Sequence, residues 1–251
     1  MRRTCLGLVG CALLAGRAEA ARPLITDDAE PVAYKHFQIQ AGVDYRSGNE
    51  VQDFTTPVIF SYGVVPRLEI GVGSGAIWEH RDEELDVAED VGGALDTVLA
   101  AKWKVLDQEK FLADQTLELS IKLPTASESN GLGTGQTDED VTWVVTRKIA
   151  SNLQMDVNVG YTFRGSPDDE NLRDLWHYGI AVEYLLTKHL QPVAEVFGET
   201  PVGDSGETVF MVNAGIRWLV AEGLVLDGAV GTGIRGEAPD VFATVGLTWV
   251  F

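Results

Sequence analysis

Apolar and polar residues alternate along most of this chain, and the last stretch shows it most cleanly. Phe251, Trp249, Leu247, Val245 and Ala243 fall on one face, while Val250, Thr248, Gly246, Thr244 and Phe242 fall on the other. Side chains of a β-strand point alternately to its two sides, so a period of two predicts a strand with one greasy side and one smaller, more polar side. About ten such residues, tilted, are long enough to cross a bilayer. A strand of this kind at the edge of a soluble sheet would be an open template for aggregation. In a closed barrel it pairs with the first strand, and the edge disappears.

The same alternation recurs along the chain. Phe37, Ile39, Ala41, Val43 and Tyr45 oppose Gln38, Gln40, Gly42, Asp44 and Arg46, which predicts strand one. Further strands are predicted at Phe54–Tyr62, Leu68–Trp78, Leu95–Trp103, Leu117–Leu123, Val141–Val145, Leu153–Phe163 and Trp176–Tyr184. Strand nine, around Leu190–Phe197, can take either phase because Pro192 interrupts a mixed pattern. Thr208–Trp218 and Leu224–Thr232 precede the closing strand and bring the expectation to about twelve.

Connections alternate between long polar or acidic stretches and short turns. Polar loops are expected around Ser47–Glu50, Glu79–Asp90, Pro124–Glu139 and Ser166–Asp174; short turns fall near Gly63–Arg67, Ala150–Asn152 and Thr187–His189. The face opposite the Gln, Asn, Lys, Glu and Gly positions is almost wholly apolar and aromatic. A soluble β-sandwich presents a polar outer face, whereas a transmembrane barrel turns its apolar side to lipid and its polar side inward. The expected fold is therefore all-β: a single antiparallel transmembrane β-barrel of about 12 strands, with short periplasmic turns and long acidic outer loops. A bacterial outer-membrane location follows.

Met1-Arg-Arg, an apolar run from Cys5 to Ala15 and Ala18-Glu19-Ala20 form a charged, apolar and small-x-small sequence, as in a signal peptide cleaved after Ala20. Leu8-Val9-Gly10-Cys11 also resembles a lipoprotein site, but the apolar run continues past Cys11. Residues 21–33, rich in turn and capping residues, read as a periplasmic lead-in, and residues 34–251 as the barrel. Cleavage removes both cysteines, which excludes disulfide or thiol chemistry from the mature chain. It also takes the basic count from 19 to 16 and the acidic count from 38 to 37, so the formal charge moves from −19 to −21. Such a chain repels nucleic acid.

Several pieces resemble one family, the outer-membrane barrels named for the MetA pathway of phenol degradation. They are Arg22-Pro-Leu-Ile-Thr-Asp-Asp28, Tyr62-Gly…Pro66-Arg-Leu-Glu69, Lys122-Leu-Pro-Thr125 with Gly131-Leu-Gly-Thr-Gly135 and Asp138, and Leu226-Asp-Gly…Gly231 through Val245-Gly246-Leu247 to Phe251. The resemblance covers nearly the whole mature chain. It implies movement of small, often aromatic or hydrophobic, solutes across the outer membrane, and it brings no catalytic residues.

Inward-facing charges are the candidates for function: Asp44, Arg46, Glu69, Asp96, Lys102, Lys104, Glu118, Lys122, Asp156, Arg164, Glu183, Arg217 and Asp227. They either line a selective pore or pair off and fill the lumen, since buried charges need partners. Glu69, Lys102 and Glu118 alternate in sign on consecutive strands, which favours pairing. The acidic stretches Glu79–Asp90, Asp138–Asp140 and Asp168–Glu170 lack the spacing of a calcium loop. They read as a charged outer surface bridged by divalent ions to lipopolysaccharide. An enzyme would need a nucleophile and base together. Of His36, His80, His177 and His189 only His177 faces inward within a strand, with Ser166 in possible reach. The 131–135 stretch lacks the lysine and helix of a phosphate loop. No cofactor or metal site is expected. Phe251 and Trp249 provide the terminal signal that the outer-membrane assembly machinery reads. Intact-mass measurement of protein from outer membranes is expected to place the N-terminus at Ala21; a chain acylated at Cys11 would refute that cleavage site.

Overall fold

The computed structural model describes residues 22–48, 51–81, 90–166, 173–200, 207–236 and 238–251. The expected leader with Cys11, most of the acidic stretch Glu79–Asp90, and Asp168–Glu170 lie outside the described residues. Thirteen segments form one antiparallel sheet: β1 (Phe37–Gly48), β2 (Val51–Val65), β3 (Leu68–Arg81), β4 (Asp90–Ala94), β5 (Thr97–Leu106), β6 (Asp114–Leu123), β7 (Asp138–Ala150), β8 (Leu153–Phe163), β9 (Leu175–Tyr184), β10 (Leu190–Glu199), β11 (Val209–Ala221), β12 (Leu224–Arg235) and β13 (Val241–Val250). Both β4 and β5 pair with β3, so together they make one barrel strand broken at Leu95 and Asp96. Twelve barrel strands result.

Closure is complete. β1 pairs with β2 on one side and with β13 on the other, from Gln38↔Val250 to Ser47↔Val241. The main chains of Phe37 and Phe251 exchange hydrogen bonds of 2.8 and 2.9 Å at the end of that seam. The closing strand thus takes the place its pattern predicts.

The polarity is inverted relative to a soluble protein. Val230 and Val245 are 64% and 62% exposed, whereas Thr116, Asp156 and Thr248 are fully buried. Aromatic side chains form two rims on the outside. At the short-turn end Phe37 contacts Phe60, Tyr62 and Phe251, and Trp249 contacts Phe251. Tyr45 with Phe54, and Tyr161 with Phe163 and Trp176, mark the other end. Aromatic girdles of this kind flank the apolar band, and the amphipathic Tyr and Trp rings among them suit the level where hydrocarbon meets headgroup.

The ambiguous ninth barrel strand, β10, resolves with Val193 and Glu195 buried and Ala194 and Val196 exposed. Gln191, Val193, Glu195 and Phe197 therefore face inward. Pro192 lies just outside the β9 ladder, which begins at Val193↔Glu183, so its missing N–H is tolerated there. Of the polar loop expected around Ser47–Glu50, Ser47 and Gly48 belong to β1, and Asn49 and Glu50 lie outside the described residues. Among the described residues no helix is long and apolar enough to cross a membrane; strands do the crossing. Replacing outward Val245 by Lys is expected to lower unfolding stability in vesicles by about 2–4 kcal/mol if the site lies near mid-bilayer. The inward replacement Gln40→Lys is expected to cost much less, both being read by urea titration of tryptophan fluorescence.

Candidate functional site

The expected periplasmic lead-in lies elsewhere: residues 22–33 run inside the barrel. They enter beside β2, where Tyr34 bridges Gly63 and the Lys35 N–H donates to the Gly63 carbonyl at 2.8 Å. A side chain on Gly63 would strike the carbonyls of Val32 and Ala33, so only glycine lets the two backbones come this close. The strap then crosses the lumen, held by side chains from the wall. Val32 N–H donates to Glu69 at 2.8 Å, and Ala29 N–H to Thr146 Oγ1 at 2.7 Å. The Ala29 carbonyl accepts from Thr116 Oγ1 at 2.6 Å. The N–H groups of Ile25 and Thr26 donate to Glu195 at 2.8 and 2.7 Å. The Arg22 carbonyl accepts from Arg217 Nε at 2.6 Å. The Asn158 amide, in the orientation that satisfies both groups, bonds the Asp27 N–H and carbonyl.

The composition explains this arrangement. Pro23 and Pro31 lack N–H donors, so the stretch cannot extend the ladder. Enclosed backbone groups still need partners, and threonine, asparagine and carboxylate side chains supply them. Three small or aliphatic side chains of the strap are buried as well, Ala29, Val32 and Leu24, the last against Ala181 and Val193.

Charges on strap and wall pair. Lys102 reaches Asp27 at 2.7 Å and Glu118 at 3.4 Å. Lys104 pairs with Glu30 and, at 3.4 Å, with Asp114. Arg217 meets Glu183 at 2.7 Å in a fully enclosed position. Arg22 lies 3.5 Å from both Asp44 and Asp227. Nearer the long-loop end Lys122 bridges Asp138 at 2.7 Å and Asp96 at 3.6 Å. Asp96 also accepts the N–H groups of Thr125 and Ala126, tying the 124–137 connection to the inner wall. Asp156 accepts from Thr146 at 2.6 Å. Of the thirteen singled-out charges, Arg46 is exposed opposite Asp53, and Arg164 lies one residue past β8, its N–H donating to Asp174 at 2.9 Å. The others face the lumen.

His177 Nε2 lies 2.7 Å from Asp140, which also accepts from Thr142 and Thr162. The described partners of His177 are thus a carboxylate and a hydroxyl that itself donates to that carboxylate. One patch of the inner wall is apolar. Phe197 of β10 meets Phe242 of β13 edge to face, with ring centroids 5.9 Å apart. Phe242 lies across Gly231, where any side chain would strike the ring.

Sequence reasoning missed the strap's place and with it Arg22, Asp27, Glu30 and Glu195. The acids of the strap read as turn and capping residues. Glu195 sat on the strand whose phase was open, although the buried pair Val193 and Glu195 between small or branched Ala194 and Val196 carried the signal.

A family model described as "Putative MetA-pathway of phenol degradation" matches residues 20–251. A search of curated proteins gives no significant match. Among solved structures, a COG4313 outer membrane channel from Pseudomonas putida F1 superposes with a TM-score of 0.70 at 11% identity, over 89% of this chain and 97% of that one. The NanC porin gives 0.61 at 9% identity, over 84% and 98%. The P. putida toluene transporter TodX gives 0.50 at 9% identity, over 96% and 94%. At such identities the likeness is one of fold. Replacing Glu195 by Ala is expected to leave the strap amides of Ile25 and Thr26 without their acceptor, at about 1–3 kcal/mol for the lost buried partner. Hydrogen exchange at those two amides should speed accordingly, with the β-strand amides unchanged.

Proposed function

Because the chain belongs to that family and shares its fold with outer-membrane channels, we propose that it is an outer-membrane channel for passive passage of small organic solutes, aromatic ones included. The polarity inversion carries this reading. A wall closed all round, apolar outside and lined with paired charges and hydroxyls inside, isolates a polar path through lipid. The Phe197–Phe242 pair supports the aromatic part, since two rings edge to face in a polar lumen offer a flat solute a stacking partner. Toluene, named for TodX, is a solute of that kind. The inward charges supply selectivity, and the protein works without catalysis, cofactor or metal. Lipid and lipopolysaccharide surround it, the assembly machinery inserts it through the strand ending in Trp249 and Phe251, and the leader is removed on export.

A second reading has its own observation. The strap and its ion pairs occupy the lumen near the short-turn end, as a structural barrel without cargo would have it. Proteoliposome swelling separates the two. A phenyl glycoside and a methyl glycoside, both too polar to cross lipid unaided, are expected to enter, the phenyl compound faster than its size predicts. Phe242→Ala should abolish that preference and spare methyl glycoside entry. Absence of swelling with every solute would establish the structural reading.

A further inference from the structure

We propose that residues 22–33 form a displaceable gate, latched at its tip by Arg22, and that the channel opens when this latch releases. The proposal rests on the channel reading above.

The attachment of the strap has the character of a gate. None of its described N–H bonds at Ile25, Thr26, Ala29 and Val32 enters the barrel ladder; each ends on a side-chain oxygen. Water can replace such partners one by one, and the twelve-stranded wall keeps every ladder bond when the strap leaves. The apolar hold is small, Leu24, Ala29 and Val32 being the buried aliphatic side chains of the strap, while Ile25 is 61% exposed. The root is different. At Tyr34–His36 the backbone bonds to Gly63 in both directions, and Lys35 takes a left-handed φ of 67°. A fixed root, a shank held by side-chain hydrogen bonds and by ion pairs to Lys102 and Lys104, and an arginine at the tip make a lever.

The tip contact is a built socket. The Arg22 guanidinium lies between Asp44 and Asp227, donates to Thr244 Oγ1 and, at 3.1 Å, to the Val245 carbonyl. Gly42 and Gly246 leave the room it fills, since a side chain at either would strike the guanidinium. Arg22 is thus the charge that compensates Asp44 and Asp227 from the strap side. When it departs, both carboxylates face the lumen, and the open state favours cations at that level.

Planar-bilayer recording tests this with full-length protein under a KCl gradient. Thr26→Cys with Gly179→Cys, in a Cys5→Ser/Cys11→Ser background, fixes the strap. A Cβ built on Gly179 lies 3.2 Å from that of Thr26, near the about 3.5–4.5 Å of a disulfide. Oxidation should silence the channel and dithiothreitol should restore it. Arg22→Ala should lengthen open time about tenfold or more, the effect of one charge-assisted contact. Arg22→Lys should fall between that variant and wild type. Asp44→Asn should also open the channel but shift its reversal potential away from cation preference. Equal conductance of the oxidised and reduced pair, or wild-type open times in Arg22→Ala, would overturn the gate while leaving the channel standing. Silence of all variants under both redox conditions would remove the channel reading and the gate with it.

Discussion

Hydrocarbon offers no partner to a backbone N–H or C=O, and each one left bare costs several kcal/mol. That constraint sets the rest of this molecule. It requires every strand to have two neighbours, and the chain meets it by pairing β1 with both β2 and β13. Once the sheet is closed, the two faces of each strand acquire fixed surroundings, lipid on one side and lumen on the other. The period-two pattern is the imprint of those surroundings. It survives a β-strand broken at Leu95 and Asp96, because both pieces keep their pairing to β3.

The lumen poses a second problem, since its charges are withdrawn from bulk water. Desolvating a pair can cost as much as its attraction returns, so the clusters around Lys102 and Arg217 are better regarded as setting position than as adding stability. They do so with little freedom. Lys102 meets Asp27 and Glu118 at once, and Arg217 holds Glu183 with one nitrogen and the Arg22 carbonyl with another. Two lysines and an arginine from the wall thereby choose where an otherwise unpatterned stretch of chain must lie.

Strands and their inner and outer faces were legible because alternation is a local property: Asp44, Glu69, Lys102 and Asp227 could be assigned to the lumen from their immediate neighbours. The place of residues 22–33 could not be read in that way. Its partners are far away in the chain, as Thr26 is from Glu195, and they are recruited by side-chain oxygens that leave no period. Thr26, Asp27 and Asp28 look the same in a turn as in an enclosed strap; only the closed wall distinguishes them. Lys122 shows the intermediate case. Its inward direction was legible, but its bridge between Asp96 and Asp138 depends on how the 124–137 connection folds back.

The Arg22 socket also carries information about time. Asp44 belongs to the first strand, Asp227 to the twelfth segment, and Thr244 and Val245 to the last. Asp44 and Thr244 are cross-strand partners in the pairing of β1 with β13. A half-inserted sheet therefore has no berth for the arginine, whatever the state of its other strands. The full set of partners for Arg22 exists only once the two ends of the sheet have zipped, which makes the filled socket a local record that the wall is whole.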